Sequence, residues 1–463
     1  MKIEFHGADR DVTGSCHLIE TGGVKLLIDC GIYQGGREMD EENKEPFGFE
    51  PGEIDYVLLT HAHLDHCGRL PLLVKRGFQG EIITTSASRE LARLILLDSA
   101  HLQEEEARYQ SRRCARHGNT GEILPLYDSV DALYTFDFFG RTAHYGKPLR
   151  IVNGITATFL DAGHILGSAS ILLEIEEQQG RSKRILFSGD LGYSGRAIIR
   201  DPAPPPHADY VVMETTYGDR LHKTLQPSLD ELYQVIRETL ERGGNVIIPT
   251  FALERAQELL YYLREGVRDN RLPKHMPLFL DSPMAISATE IFQRHPECYD
   301  EDTCALFQKG RDPFGLPGLR FTRETAESMA LNQVVGGAVI MAGSGMCTGG
   351  RVRHHLKHNL WRKESAIVFV GYAARGTLAR RIIDGAKTVR IYSDEIHVNA
   401  AIHTIGGFSA HADQQELLDW YRRTGKSEKT FLVHGDEKAM RHFAEHLSDT
   451  RVEMPTLHQS YRL

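Results

Sequence analysis

The sequence of residues 60–68 is THAHLDHCG, and it directly follows a short apolar run, YVLL. Such a run is typical of a buried β-strand, so the polar residues lie in the turn where the strand ends. Imidazole and carboxylate groups are the ligands that suit Zn²⁺ and related metals. Four candidate ligands are too many for one tetrahedral ion that keeps an open position. We predict that His61 and His63 face one metal ion, and that Asp65 and His66 face a second.

Three further candidate ligands follow apolar runs elsewhere in the sequence. His164 follows FLDAG, Asp190 follows LFSG and His434 follows FLV. Each alone is weak evidence, since a lone polar residue after a strand is common. Together with the first motif they predict a two-metal centre in which Asp190 can bridge the ions.

Asp29 closes another apolar run, LLI. Its carboxylate suits a position behind a ligand histidine, where it orients the ring without touching the metal. A carboxylate that caps the following turn explains the residue about equally well. Both interpretations remain open from the sequence.

The composition is that of a globular protein with buried cores. The chain has 463 residues, of which 41% are hydrophobic and 25% are charged. These values exclude disorder, collagen and coiled coil as the main architecture, and the length predicts two or three domains. The formal net charge of −9 argues against a protein that coats nucleic acid through a basic surface. It does not exclude an enzyme whose positive potential comes from bound metal ions.

The sequence also predicts the cellular location. No apolar run approaches the ~18 residues of a membrane span, and the first residues, MKIEFHG, lack the apolar core of a signal peptide. The seven cysteines form no C-x-x-C pair, which favours free thiols over a disulfide framework or a zinc knuckle. We therefore expect a soluble, cytoplasmic protein with no membrane partner.

The pattern of apolar runs changes twice along the chain. In residues 1–212, short strands alternate with glycine-rich turns, apart from a long helix predicted over 88–113. In residues 213–396, helices alternate with strands, which predicts a parallel sheet covered on both faces. Residues 397–463 return to strands and turns. We predict an α/β protein in which the first and last segments form one domain, interrupted by an inserted domain.

The candidate ligands resemble the metallo-β-lactamase superfamily, which has H-x-H-x-D-H, a later His, a later Asp and a final His. Three segments resemble motifs A, B and C of its β-CASP nuclease branch: VMETTYG (212–218), FSAHAD (408–413) and LVHGD (432–436). The resemblance covers essentially the whole chain. It is closest to bacterial and archaeal relatives of the endonuclease subunit of the eukaryotic pre-mRNA cleavage and polyadenylation factor. It implies a metallo-β-lactamase αββα sandwich interrupted by a β-CASP domain with a mainly parallel sheet.

The resemblance also implies two Zn²⁺ ions per chain, with Mn²⁺ as the alternative metal. One ion is then held by His61, His63 and His164 and the other by Asp65, His66 and His434, with Asp190 bridging. Asp65 also orients the nucleophile, and His411, partnered by Glu214, protonates the leaving oxygen. A purely structural pair of Glu214 and His411 remains the alternative.

The expected substrate comes from motif C. In this branch a His there accompanies RNA-processing members, whereas DNA-repair members similar to Artemis typically carry Val, so His434 favours RNA. Turns after buried strands of the inserted domain resemble the nucleotide-contacting loops of the branch, and backbone amides of such turns bind phosphate. The RNA contacts predicted there are Phe251, Arg255, Ser282, Met284, Ser344, Gly345, Met346 and Arg375. An ordinary structural role in turns explains these residues about equally well. The basic run 351–358 is either an RNA path or a solvated helix face.

We predict a zinc-dependent ribonuclease that hydrolyses RNA phosphodiester bonds, internally, from an end, or both, in RNA processing or degradation. Two alternatives remain open. One is a catalytically silent β-CASP scaffold subunit, although every expected ligand type is present. The other is a metallo-hydrolase of small thioesters, in which the insertion and motifs A to C would have no purpose. A homodimer is compatible with the sequence.

Overall fold

The computed structural model describes residues 1–35, 37–116, 123–176, 182–371, 373–374 and 376–463. The chain divides into two compact units. The first unit comprises Met1–Gly195, Asp201–Leu221 and His411–Leu463, and the second comprises Arg196–Arg200 and His222–Ala410. The second unit is thus inserted into the sequence of the first.

The strands form three large sheets and one hairpin within the described ranges. The strands are β1 (Lys2–Phe5), β2 (His17–Thr21), β3 (Val24–Ile28), β4 (Tyr56–Leu58), β5 (Glu81–Thr85), β6 (Phe139–Ala143), β7 (Leu149–Val152), β8 (Ile155–Asp161), β9 (Ala169–Glu176), β10 (Ser182–Phe187), β11 (Tyr210–Glu214), β12 (Val246–Pro249), β13 (Leu278–Asp281), β14 (Leu319–Phe321), β15 (Val339–Ala342), β16 (Ala366–Val370), β17 (Thr388–Ile391), β18 (Asp394–His397), β19 (Ala401–Ile405), β20 (Lys429–Val433), β21 (Arg451–Glu453) and β22 (Ser460–Arg462).

The helices connect and cover these strands. The helices are α1 (Arg37–Glu42), α2 (Leu64–Cys67), α3 (Leu70–Lys75), α4 (Ser86–Arg116), α5 (Ser129–Thr135), α6 (Leu225–Glu241), α7 (Arg255–Arg268), α8 (Pro283–Arg294), α9 (Glu301–Gln308), α10 (Thr325–Leu331), α11 (Val352–Asn359), α12 (Leu378–Ile383), α13 (Gln414–Arg423) and α14 (Glu437–Ala444). No helix of the described ranges has an apolar stretch long enough to cross a membrane.

The first unit is a sandwich of two seven-stranded sheets. Their strand orders are β22-β1-β2-β3-β4-β5-β6 and β21-β20-β11-β10-β9-β8-β7. Inward side chains of both sheets, such as Phe5, Ile28, Phe159 and Phe187, form one buried apolar core. Helices α13 and α14 pack on the outer face of the second sheet, and α4 packs against β5 and β6 of the first. This architecture confirms the predicted αββα sandwich.

Parallel pairing brings several strand ends to the same edge. In the second sheet, β11 pairs in parallel with both β10 and β20. In the first sheet, β3 pairs in parallel with β4, so that Ile28 lies opposite Leu58. Since the carboxyl ends of parallel strands meet at one edge, the turns that follow these strands are neighbours.

The second unit contains a parallel sheet of order β14-β13-β15-β12-β16-β19. The central strands have continuous apolar sequences such as VIIP (246–249) and AIVFV (366–370), and every residue of these two runs is buried. Such runs are typical of parallel strands covered on both faces. Strands β17 and β18 form a separate antiparallel hairpin. The parallel sheet agrees with the prediction for the inserted domain.

Candidate metal centre and active site

The turn after β4 and the single turn of α2 carry four of the predicted ligands. His63 has an extended backbone and directly precedes α2, which carries Asp65 and His66. Gly31 lies against this turn, because a Cβ atom there would be 1.6 Å from the Asp65 carbonyl oxygen. The Ser15 N–H donates to the same oxygen at 2.8 Å. Only glycine at position 31 allows the chain to approach α2 this closely, which holds the turn in place.

The remaining ligands lie at the ends of strands of the second sheet. Asp190 follows β10 and His434 follows β20, while His164 lies in the loop after β8. Gly192 packs against that loop, since a Cβ atom on it would be 1.7 Å from the Gly163 carbonyl oxygen. These three loops and the turn after β4 come from distant parts of the sequence, and the sandwich brings them together.

Three imidazole rings and one carboxylate form the first set of side chains. Nε2 of His61 and Nε2 of His164 each lie 3.1 Å from Nδ1 of His63. Oδ2 of Asp190 lies 3.5 Å from His61 Nε2 and 3.6 Å from His164 Nε2. Two ligands of one tetrahedral zinc ion, each bound at ~2.1 Å, are about 3.4 Å apart. The spacing of this set therefore fits a shared cation.

Asp65, His66 and His434 form the second set. Oδ2 of Asp65 lies 3.5 Å from His434 Nε2. The other oxygen of Asp190, Oδ1, lies 3.3 Å from His66 Nε2 and 3.5 Å from His434 Nδ1. Each oxygen of Asp190 thus faces a different set, which is the arrangement that a carboxylate bridging two cations requires.

Buried polar atoms without partners show that these sets suit cations. Within the described residues, both carboxylate oxygens of Asp190, Nε2 of His66 and Nε2 of His434 are buried and have no hydrogen-bond partner. Leaving a buried polar atom without a hydrogen bond costs ~1–3 kcal/mol. Divalent ions between the two sets would supply the missing partners, so the donor atoms and their environment fit a metal centre.

The protonation states of His61, His63 and Asp190 also suit metal binding. Burial lowers the pKa of His61 and of His63, so both rings are neutral, which is the form that binds a metal. Burial alone would raise the pKa of Asp190, but the neighbouring His434 and His66 outweigh it and hold that pKa well below its usual range. Asp190 is therefore a carboxylate rather than a carboxylic acid.

Asp29 lies behind His66, on the side away from the centre. His66 Nδ1 donates to Asp29 at 2.7 Å, which leaves Nε2 of the ring facing Asp190. The Thr60 N–H and hydroxyl also donate to Asp29, at 2.8 Å and 2.9 Å. Because the carboxylate only accepts, these contacts fix both the tautomer and the orientation of His66.

Glu214 and His411 lie beside the first set. Glu214 ends β11 and is fully buried, and His411 Nδ1 donates to its carboxylate at 3.2 Å. The Leu191 N–H donates to the same carboxylate at 2.6 Å. Glu214 thus has hydrogen-bond partners, unlike Asp190. The rings of His411 and His164 are 4.5 Å apart.

Glu214 controls the charge of His411. Burial lowers the pKa of His411, but the charge of Glu214 and its hydrogen bond outweigh burial and raise that pKa to about 9. His411 therefore holds a proton at neutral pH. Its side chain is 21% exposed, whereas that of Glu214 is 0% exposed.

In motifs B and C, the histidine lies two residues before an aspartate that caps a helix. Asp413 precedes α13 and accepts from the Glu416 N–H at 3.2 Å, two residues after His411. Asp436 precedes α14 and accepts from the Ala439 N–H at 2.8 Å, two residues after His434. Aspartate is a preferred residue at helix starts because its side chain satisfies a free N–H group. The same short spacing therefore fixes each histidine next to a helix start.

The predicted RNA contacts lie after strands of the second unit. Phe251 follows β12 and is 45% exposed, and the loop at Gly345 packs on its ring. The Ser282 hydroxyl caps α8 by accepting from the Ala285 N–H. Further contacts predicted in these turns are Met284, Ser344 and Met346, which are half-buried. Arg375 lies outside the described residues.

Arg255 differs from the other predicted contacts because it is nearly buried. Its guanidinium forms an ion pair with Glu258, and Glu258 also accepts from Arg196 at 3.1 Å. The guanidinium of Arg255 lies 5.7 Å from the centre of the Phe408 ring. The positive charge of Arg255 is thus partly balanced within the second unit.

Two functional features were missed by sequence reasoning. Thr60 supports Asp29, and its position directly before the histidine motif was the only signal. In the basic run 351–358, Arg351 and His355 contact the buried carboxylate of Asp281, at 2.8 Å and 2.6 Å. Arg351 and His355 are therefore neither a free RNA path nor a solvated face, and for the rest of the run both interpretations stay open.

The sandwich and its histidine-rich edge define the class. The chain belongs to the metallo-β-lactamase superfamily, whose family model matches residues 9–249. The model of the Beta-Casp domain matches residues 256–382. The model of the Zn-dependent metallo-hydrolase RNA specificity domain matches residues 395–455. The predicted resemblance to the β-CASP branch is thereby confirmed.

Relatives with curated names cover almost the whole chain. A protein of Thermus thermophilus named a ribonuclease is 41% identical over 95% of this chain and 94% of its own length. Transcription termination factor FttA of Methanosarcina mazei is 33% identical over 95% of this chain and 67% of its own length. An RNase J-like protein of Methanocaldococcus jannaschii is 28% identical, over 98% and 97%.

A solved structure has a similar fold. It is the crystal structure of a protein of unknown function from Enterococcus faecalis V583, with a TM-score of 0.57 and 12% identity. The match covers 100% of this chain and 99% of that chain.

Proposed function

We propose that the protein is a zinc-dependent ribonuclease that hydrolyses phosphodiester bonds of RNA. The observation that carries this proposal is Asp190, whose two unpartnered oxygens each face a different set of metal-ligand side chains. The RNA specificity domain and a relative that is named a ribonuclease support RNA as the substrate class. His434 in motif C agrees with that choice.

The chain offers ligands for two ions. In this proposal, His61, His63 and His164 would hold the first ion and Asp65, His66 and His434 the second, and Asp190 would contribute to both sites. Two Zn²⁺ or Mn²⁺ ions bound there would lower the pKa of water toward ~7 and offset charge on the phosphate oxygens. Asp65 also orients the attacking water, because its carboxylate accepts hydrogen bonds and lies at the rim of the second set.

His411 supplies the proton that the leaving oxygen of the ribose needs. It is protonated at neutral pH because Glu214 raises its pKa to about 9. The ring lies next to His164 and is partly exposed, so its proton can reach a group bound at the centre. In this proposal Glu214 holds Nδ1 of His411 and Nε2 donates the proton. General acids in such positions contribute a rate factor of ~10²–10⁴.

The turns of the second unit are proposed to bind the RNA. Phe251 is an exposed aromatic side chain, which suits stacking on a base. The backbone N–H groups of Gly345 and Met346 suit contacts with phosphate. For Arg255 we propose indirect support of these turns, since its charge is paired with Glu258.

We also propose that the protein acts in the cytoplasm. All seven cysteines are free thiols, and five of them, including Cys67 next to His66, are buried in the first and second units. Free buried thiols suit a reducing compartment.

The direct test is cleavage of labelled RNA by the purified protein. RNA, DNA of the same sequence and a small thioester are each incubated with metal-free protein and with protein reloaded with Zn²⁺ or Mn²⁺. We expect RNA cleavage that needs metal and that is lost in His61→Ala and His63→Ala. His397→Ala, an exposed histidine of β18, is the matched control and retains cleavage.

Intact RNA under every metal condition would contradict the proposal and favour a scaffold subunit. Hydrolysis of the thioester alone would favour the small-molecule hydrolase. Mapping products from an RNA blocked at its 5′ end separates internal cleavage from cleavage that starts at that end.

A further inference from the structure

One face of helix α4 is exposed along its last four turns. With a turn of about 100° per residue, seven side chains lie within about 60° of the direction of Tyr109. We call them the outer face of α4, and they are Leu102, Glu105, Glu106, Tyr109, Arg112, Arg113 and Arg116. All seven are exposed.

The opposite side of the same turns packs on the first unit. Ala107 is buried there. The Glu104 carboxylate accepts from the Ser129 N–H at 2.7 Å, and the Ser111 hydroxyl accepts from the Ile123 N–H at 2.9 Å. The orientation of the helix is therefore fixed by its inner side, and the outer face is presented to the surroundings.

The outer face combines apolar and charged groups. Leu102 is 56% exposed and Tyr109 is 62% exposed, two turns apart on the same line. Spacings of three and four residues along this line are those of a helix that pairs with another helix. Large apolar side chains aligned in this way favour burial against a partner.

The charges on this face are separated by sign. Glu105 and Glu106 precede Tyr109, whereas Arg112, Arg113 and Arg116 follow it. Among the described residues, these three arginines form no ion pair, and Glu105 faces only His101, at 3.4 Å.

The arginines also repel one another within the helix. Arg108, Arg112 and Arg116 are spaced by four residues, and like charges at this spacing destabilise a helix. Arg108 is paired with Glu104 at 2.9 Å, but the other two lie beyond that carboxylate in the sequence. A partner with negative charge would therefore stabilise this end of α4.

A second copy of the same helix has the matching charges. If two copies pair antiparallel about a two-fold axis at Tyr109, residues equally far before and after Tyr109 face each other. Glu105 of one copy then faces Arg113 of the other, and Glu106 faces Arg112. Leu102 faces the aliphatic part of Arg116, which packs on apolar groups while its charge stays in water. By symmetry each contact occurs twice.

We propose that the outer face of α4 is a homodimer interface formed by antiparallel pairing of this helix with its copy. The acidic residues argue against RNA as the binding partner of this face, because Glu105 and Glu106 would repel phosphate groups bound along it. This inference does not depend on the proposed ribonuclease activity.

The test is a charge exchange measured by sedimentation equilibrium. Glu105→Arg/Glu106→Arg makes the face wholly basic, and Arg112→Glu/Arg113→Glu makes it wholly acidic. We expect the unmodified protein to dimerise with increasing concentration at ~0.1 M salt and each variant alone to stay monomeric. An equimolar mixture of the two variants is expected to form a heterodimer, because all four facing pairs then have opposite charges.

Salt and a matched variant complete the experiment. At ~1 M salt, where the screening length falls to about 3 Å, dimerisation weakens. Ala115→Glu adds charge to the same turns but points about 120° away from Tyr109, so it leaves the dimer unchanged. Circular dichroism and thermal unfolding check that each variant is folded.

Three results would overturn the proposal. The first would be an unmodified protein that is monomeric at all concentrations. The second would be a failure of the two variants to associate on mixing. The third would be weaker binding of labelled RNA by Arg112→Glu/Arg113→Glu with no change in the molecular mass. The last result would assign the arginines to RNA. Ribonuclease activity is measured in parallel and reports on the other proposal alone.

Discussion

Single residues set the chemistry of the candidate centre through their neighbours. His66 illustrates this, since Asp29 holds one ring nitrogen and the other faces Asp190. These two contacts fix the direction in which each ring nitrogen points. The buried Thr60 donates two hydrogen bonds to Asp29, so Thr60 and Asp29 together position His66.

Removing the carboxylate that orients His66 is expected to weaken metal binding. Loss of such a partner typically costs ~10–100-fold in metal affinity or activity. In Asp29→Asn, we expect a loss of this size in a competitive chelator titration. Asp40→Asn, an exposed residue of α1, is the control and leaves the affinity unchanged. Unchanged affinity in Asp29→Asn would leave Asp29 only the role of a turn cap.

His411 and Glu214 are expected to govern the alkaline side of the pH profile. As a general acid, His411 works below its pKa of about 9, so kcat falls as the pH rises through that value. Replacing Glu214 by Gln removes the charge that raises this pKa, so the fall moves to lower pH. His411→Ala is expected to lower kcat ~10²–10⁴-fold with normal metal content.

The measurement is kcat against pH together with elemental analysis of each variant. Full cleavage by His411→Ala at normal metal content would remove this residue from the reaction. An unshifted profile in Glu214→Gln would show that another group supplies the proton.

At the scale of elements, the strands position the ligands and were largely predictable. The runs that became β4, β10, β11 and β20 are short, apolar and followed by polar turns, so local sequence is enough to identify them. The candidate ligand histidines of the turns after β4 and β20 were predictable for the same reason, and His164 follows β8, another apolar strand.

Contacts between distant segments were not predictable in this way. Asp281 ends β13, and its partner His355 lies 74 residues later in α11. The sequence of the basic run 351–358 indicates only positive charge. In the folded protein, two of its residues, Arg351 and His355, contact Asp281. The short strands β1 and β22 also pair across the full length of the chain, which no local pattern reveals.

Asp281 is expected to stabilise the second unit in a pH-dependent manner. Burial would raise the pKa of Asp281, but hydrogen bonds from His355, Ser328 and Thr322 outweigh it and lower the pKa to about 2. Because this value lies below the ordinary value of 3.8, the stabilisation is fully present above pH ~4 and is lost as the pH falls toward 2. The shift corresponds to ~2 kcal/mol.

Urea unfolding of the protein and of Asp281→Asn at pH 7 and pH 3 checks this expectation. Leaving His355 and Arg351 without their buried partner costs ~3–5 kcal/mol at pH 7. The difference between the two proteins is expected to be smaller at pH 3. A difference that does not change with pH would show that Asp281 acts only through packing.

At the scale of the whole molecule, two layers of sheet bring seven side chains from four loops and turns to one edge. Sequence motifs predicted which residues are involved, but only the pairing of β3 with β4 and of β10, β11 and β20 explains why they meet. The domain limits 1–212, 213–396 and 397–463 stay a prediction. The second unit carries the candidate RNA contacts.

The most direct measurement is the metal content of the protein after chelation and reloading, combined with its melting temperature. We predict two divalent ions per chain and a higher melting temperature in the reloaded protein, because ligands that bind only the folded state stabilise it. Asp190→Asn is expected to lose most of both effects. A reloaded protein that holds no stoichiometric metal, or an Asp190→Asn variant that still holds two ions, would contradict the account.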